Sequence, residues 1–258
     1  MSSAEGFERI MHKTGSMRAL VSILMCCAVS AACFGQAPDK REWGEKFNSS
    51  GAQLKFKELD RTRINGQTAV TYHMFGSGLP VKAEYTLSTW ILGGEPEEQA
   101  DAYINKDGLV VNVLADPVHK IAEDPIDLIV FAGRGEPKRF ALISTDGRYR
   151  AFGQIVPFPI EATAGPCHMS AVTQAANYTA VLVVVEGLQP GEELQIDGQS
   201  AGEGGRAKAQ ATGQGKYVNV LFPQVTGKRS GTTRFSVTAK SCQIGVEFPW
   251  GESSYSIQ

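Results

Sequence analysis

The chain has 258 residues, 42% of them hydrophobic, with 25 Lys and Arg against 27 Asp and Glu and a formal net charge of −2. A weakly acidic surface without clustered cations exerts no electrostatic pull on nucleic acid or anionic lipid, which excludes nucleic-acid binding as a working class. The length is enough to bury one large core or two ordinary ones.

From Met17 the order is one cation, Arg18, an apolar run from Ala19 to Ala32, and the small or polar stretch Cys33-Phe-Gly-Gln-Ala37. That is the order of a secretory signal, so residues 1–35 are read as a signal peptide whose first sixteen residues represent an over-long start. The apolar run falls short of the roughly 20 residues a membrane-crossing helix needs, which makes a retained anchor the second reading. Two cleavage readings stay open: lipidation at Cys33, as in a lipoprotein, or ordinary cleavage after Gly35 or Ala37. Removing residues 1–35 takes three cations (Arg9, Lys13, Arg18) and two anions (Glu5, Glu8), leaving 22 against 25.

Residues 36–52, ending in Asn48-Ser-Ser-Gly51, are polar without an apolar period and read as a linker or loosely held tether. Over residues 53–159, alternating and β-branched runs predict strands at 54–59, 68–75, 85–92, 109–114, 128–132, 140–144 and 148–156. Turn pairs such as Asn65-Gly66, Asp107-Gly108 and Asp146-Gly147 separate many of them. Pro96 to Ile104 is the one segment that reads as helix, two turns at most. Prolines at 157, 159 and 166 mark a domain boundary, after which residues 160–258 form a second unit. Strands are predicted there at 179–186, 193–197, 206–212, 217–222, 233–239 and 243–248. The expected fold class is all-β: two β-sandwich-like domains after a signal peptide.

A weak internal echo runs at an offset of about 110 residues. Thr68-Ala-Val, Gly78-Leu-Pro80 and Tyr85-Thr-Leu87 parallel Thr179-Ala-Val, Gly187-Leu-Gln-Pro190 and Leu194-Gln-Ile196. Related sandwiches or a generic β-corner would each produce it.

Gly187-Leu-Gln-Pro-Gly-Glu192 with Leu194-Gln-Ile196, Gly213 to Gly215, and Gly231-Thr-Thr-Arg-Phe-Ser-Val237 resemble the immunoglobulin-like and fibronectin-type sandwiches of bacterial exported proteins. The resemblance covers the last third of the chain and implies adhesion, display or spacing. It departs from the antibody pattern, since no tryptophan lies between Cys167 and Cys242.

Three of the five cysteines, Cys26, Cys27 and Cys33, fall in or beside the signal, so an oxidising compartment predicts one disulfide, Cys167 to Cys242. His73, His119 and His168 are scattered, no Cys-x2-Cys or His-x3-His occurs, and no metal or cofactor is expected. His73 is read as a polar-face sheet residue. There is no Gly-x-Ser-x-Gly elbow and no phosphate loop, so no catalytic residue is assigned. Trp250 and Tyr255 have two readings: an exposed pair that stacks on a sugar or peptide, or Trp250 as the plug of the sandwich core. Asn48-Ser-Ser50 and Asn177-Tyr-Thr179 fit the N-glycan acceptor pattern, which carries no meaning in a bacterial source.

These readings give an exported, non-enzymatic binding, adhesion or structural module of the cell envelope or the secreted fraction. Its expected partner is an envelope protein or glycan, with membrane contact only through the signal or a lipid on Cys33. The alternatives are a secreted enzyme or accessory using the acids Asp107, Glu123, Asp124 and Asp127, and an assembly factor that lends a sheet edge.

Overall fold

The computed structural model describes residues 43–81, 83–114 and 122–255. The signal segment with Cys33, and His119, lie outside the described residues, as do the side chains of Glu123 and Tyr255. The described chain is all-β, with three short 3-10 turns and no α-helix among the described residues.

Nine strands build the first half: β1 (Gln53–Ile64), β2 (Gln67–Ser77), β3 (Glu84–Trp90), β4 (Pro96–Ile104), β5 (Val110–Leu114), β6 (Ala122–Pro125), β7 (Asp127–Val130), β8 (Lys138–Ser144) and β9 (Arg150–Ile155). They pair as a three-stranded sheet, β1-β2-β7, and a six-stranded one, β6-β5-β4-β3-β8-β9. The second half holds β10 (Ile160–Ala164), β11 (Cys167–Thr173), β12 (Val181–Glu186), β13 (Glu193–Ser200), β14 (Glu203–Gln210), β15 (Tyr217–Leu221), β16 (Ser230–Thr238) and β17 (Gln243–Gly251). These form β10-β11-β12-β15 and β14-β13-β16-β17. All the pairings are antiparallel.

The two halves share one strand order. β1-β2-β7 matches β11-β12-β15, and β4-β3-β8-β9 matches β14-β13-β16-β17. The first half adds β5 and β6 beyond β4, and the second adds β10 beside β11. This is the immunoglobulin constant-type order with the fourth strand paired to the third instead of the fifth. The repeated corner has a physical cause. In each half the second strand ends at a glycine of positive φ, Gly78 (68°) or Gly187 (80°), and the chain crosses to the other sheet. A Cβ on Gly78 would lie 2.1 Å from the Gly51 carbonyl oxygen, and one on Gly187 would lie 2.0 Å from that of Pro166. The carbonyls stand just ahead of β1 and β11, and the following leucines, Leu79 and Leu188, are buried in the respective cores. The echo in the sequence is therefore one device used twice.

The first core is built around Val70, Met74, Tyr85, Leu87, Ile104 and Leu142, and the second around Cys167, Met169, Val183, Leu194, Phe235 and Trp250. The two sandwiches cluster as one compact unit. β12 is buried along Val181–Val185 on both faces, the continuous apolar run of a strand covered on two sides, with Leu182, Val184 and Val218 forming a small cluster apart from the second core.

Two expectations are corrected. Pro96 to Ile104 is a strand, β4, although Glu97, Glu98, Gln99 and Ala100 favour helix intrinsically. Pairing with β3 decides: Ala102 lies opposite Tyr85, and Ala102 and Ile104 alternate into the core. The tether read over residues 36–52 is docked over its described part. Asn48 Oδ1 accepts from the Phe152 N–H at 2.7 Å, Ser49 N–H donates to the Arg150 carbonyl at 2.8 Å, and the Arg150 N–H donates to Ser49 Oγ at 3.0 Å. The Trp43 ring packs 5.1 Å from Trp90 and 5.6 Å from Phe152, with the Arg139 guanidinium 5.5 Å over its face. β10 and β11, on either side of the Gly165-Pro166 turn, and the short β6 were not anticipated as strands.

Candidate functional site

A hollow of about 310 Å³ lies where the two sandwiches meet. Three connections shape it: Ile91 and Leu92 after β3, Phe131 to Lys138 between β7 and β8, and Thr173 to Tyr178 between β11 and β12. Backbone hydrogen bonds hold these connections together. The Thr173 N–H donates to the Gly135 carbonyl at 2.8 Å, and the Gly135 N–H donates to that of Phe158 at 2.6 Å. The buried Tyr178 donates its hydroxyl to the Arg134 carbonyl. Asn177 and Tyr178 both sit at φ 56°, a left-handed conformation that is uncommon outside glycine and is paid for here by the packing of the Tyr178 ring.

The walls are mainly apolar, and Ile91 (52% exposed) and Phe131 (37%) stand open at the mouth. Against them lies a small polar group. Glu136 Oε2 accepts from the Gly133 N–H at 2.8 Å, and Oε1 accepts from Lys138 Nζ at 2.7 Å. This ion pair is about three-quarters shielded from solvent. Burial, and secondarily the charge of Glu136, pushes the Tyr178 hydroxyl up to about 12, so it stays a proton donor. Asn177 Oδ1 is buried without a hydrogen-bond partner. The carboxylate is bonded twice, the cation is paired and the phenol is committed, so the arrangement suits holding a ligand more than moving protons.

The residues singled out from sequence are placed elsewhere. Cys167 and Cys242 form a disulfide that joins the start of β11 to the residue before β17 and so ties one sheet of the second sandwich to the other. Trp250 is 1% exposed, lies in the second core and donates its indole N–H to Ser200 Oγ at 2.8 Å. It is the core plug, and the stacking pair with Tyr255 is withdrawn because a ring that buried offers no face to a ligand. His73 lies on β2 opposite Asp127 of β7, with Nε2 3.0 Å from Asp127 Oδ1. The acids considered for a secreted enzyme are not gathered: Asp107 is in the turn after β4, Asp124 pairs across from Asn112, and Asp127 faces His73. Among the described residues no three of His, Cys, Asp and Glu converge on a metal position, and no helix is long and apolar enough to cross a membrane.

The cleft residues were missed because they come from three connections, two in the first sandwich and one in the second, at least 35 positions apart along the chain. The one local signal was Gly133-Arg-Gly-Glu-Pro-Lys138, where opposite charges two residues apart flank a proline. No protein-family model matches the chain, and no curated protein matches it.

Proposed function

We propose that the protein is an exported, non-enzymatic binding module of the cell envelope or the secreted fraction, and that the cleft between its sandwiches is where it binds. The observation that carries this reading is the cleft itself: apolar walls open to solvent at Ile91 and Phe131, with a few fixed polar groups behind them. The predicted signal order and the Cys167–Cys242 disulfide support export. The assembly-factor reading is weaker. β14 is an outer strand with most residues exposed, but it carries Arg206 and Lys208, and cations on an edge oppose strand addition.

Export is tested by a non-reducing intact mass of the protein from membrane and soluble fractions of its native cells. The expected species starts near Gln36 and is two hydrogens lighter than the dithiol; an acyl increment on Cys33 would make it a lipoprotein, and an uncleaved cytosolic species would end the export reading. Binding is tested by thermal-shift screening of glycans and peptides against the mature protein and Ala176→Trp, which fills the cleft from an exposed position. Hits that survive A176W unchanged would overturn the cleft as the site.

A further inference from the structure

Among the described residues no strand of one sandwich pairs with a strand of the other. The chain passes between the two cores in one step: Phe158 packs against the first, Ile160 lies in the second, and Pro159 stands between them. Arg61 holds Phe158 to the first side, donating to the Pro157 carbonyl at 3.2 Å with its guanidinium 5.3 Å over the Phe158 ring. Proline locks φ at that step and leaves ψ free, so one sandwich can turn against the other without disturbing either core. Such turning is the default for bodies that do not share a large apolar interface, and this junction encloses a cleft of about 310 Å³ where packing would otherwise be.

A tongue of the first sandwich, Gly133-Arg134-Gly135, opposes the turn. The Thr173 N–H of the second sandwich donates to the Gly135 carbonyl at 2.8 Å, and the Tyr178 hydroxyl donates to that of Arg134. The fit leaves no room for side chains at the two glycines. A Cβ on Gly133 would lie 2.9 Å from the Tyr178 hydroxyl oxygen, and one on Gly135 would lie 2.7 Å from Ile160 Cδ1 and 3.0 Å from the Ala171 carbonyl oxygen. Reaching the tongue costs the second sandwich. Asn177 and Tyr178 are successive residues at φ 56°, and Asn177 Oδ1 is buried without a hydrogen-bond partner.

We infer that Tyr178 is the latch of a hinge at Pro159: latched, the sandwiches hold one angle and close the cleft between them, and unlatched they turn apart and open it. The strain at Asn177 and Tyr178 offsets part of what the two hydrogen bonds contribute, which keeps the unlatched arrangement within reach. The hinge is a property of the chain itself and holds whatever the cleft binds.

Tyr178→Phe tests this on the mature, disulfide-bonded protein, since it keeps the ring and removes the hydroxyl. Residual dipolar couplings fitted separately for each sandwich are expected to give alignment tensors of equal size in the unsubstituted protein and of unequal size in Y178F. Hydrogen exchange of the Thr173 amide, which the latch protects, is expected to speed up roughly fivefold in Y178F, the loss of one neutral hydrogen bond, while the amides of β12 keep their rates. Gly135→Ala wedges the tongue away from β10 and β11 and should act in the same direction. Equal tensors with an unchanged Thr173 rate in Y178F overturn the latch, as do unequal tensors in the unsubstituted protein. Where either variant folds poorly, the unsubstituted protein still decides. A Thr173 amide as slow to exchange as those of β12 would mean that the latch never opens short of unfolding, and the inference would fail.

Discussion

The first and second sandwiches close the same seam by different chemistry. In both, the approach to the first strand runs beside the last strand, β1 beside β9 and β11 beside β17. The second sandwich fastens that seam with the Cys167–Cys242 disulfide. The first has no cysteine there and uses the Asn48 and Ser49 side chains on β9, backed by Trp43 against Trp90 and Phe152. One architecture therefore tolerates a covalent or a hydrogen-bonded closure. The covalent one acts chiefly by constraining the unfolded chain, whereas the other needs the residues ahead of β1 to be docked.

The largest effect should come from replacing both Cys167 and Cys242 with serine. A cross-link spanning 75 residues contributes about 4 kcal/mol by the chain-entropy estimate, all of it in the second sandwich. The three tryptophans separate the two responses: Trp250 reports the second core, and the half-buried Trp43 and Trp90, packed together on the first sandwich, report that sandwich. Chemical denaturation followed through single-tryptophan variants should show the Trp250 transition move and the Trp43 transition hold. A common shift would mean that the sandwiches unfold as one unit. Next in size are Gly78→Ala and Gly187→Ala. Each adds a methyl about 2 Å from a backbone carbonyl oxygen at positive φ, at a cost of about 3 kcal/mol. If the corner is one device used twice, the two losses should be alike, each in its own transition.

Breaking the hydrogen-bonded seam is a smaller perturbation. Asn48→Ala with Ser49→Ala removes side-chain partners of the Phe152 and Arg150 N–H groups, about 1 kcal/mol per bond. The Trp43 signal should fall to a lower denaturant concentration and the Trp250 signal should not. An unchanged Trp43 transition would return residues 43–52 to the tether first read from their composition.

What the sequence disclosed and what it hid divide by range. Period-2 alternation at Thr68 to Phe75 and the Asn65-Gly66 turn are local, and both appear in the β1–β2 hairpin. The disulfide followed from counting the cysteines left outside the signal. β4 was misread because its Glu, Gln and Ala residues favour helix, while the pairing that overrides them comes from β3, inside a sheet whose order no local pattern encodes. β11 was missed because Cys-His-Met-Ser-Ala-Val-Thr is buried at nearly every position and so shows no alternation. The cleft was invisible for a stronger reason: Phe131 and Asn177 meet only after both sandwiches have formed.

The turns before the two last strands, β9 and β17, offer the smallest test, through pH. Before β9, Asp146 accepts from Ser144 Oγ at 2.7 Å, the Arg148 N–H at 3.0 Å and Arg148 Nε at 2.6 Å, which together hold its carboxyl down to about 2. The turn before β17 is held by Glu192, just ahead of β13, which accepts from the Gln189 N–H at 3.0 Å and from the Ser241 N–H and hydroxyl and is likewise held below its usual range. A carboxyl depressed in the folded state stabilises above its unfolded pKa, here about 3.8 for aspartate and 4.5 for glutamate, and that stability is lost as pH falls through the folded value. The first sandwich should thus lose the Asp146 contribution between about pH 4 and 2, and Asp146→Asn should flatten that part of its acid profile without touching the second. Glu192→Gln should do the reverse. Because Asp146 is exposed and Glu192 only partly covered, the slopes should be shallow and should shrink further with added salt wherever charge contributes. Glu192 is bonded only by neutral donors, so its slope should hold better in salt than that of Asp146, whose partner is the Arg148 guanidinium.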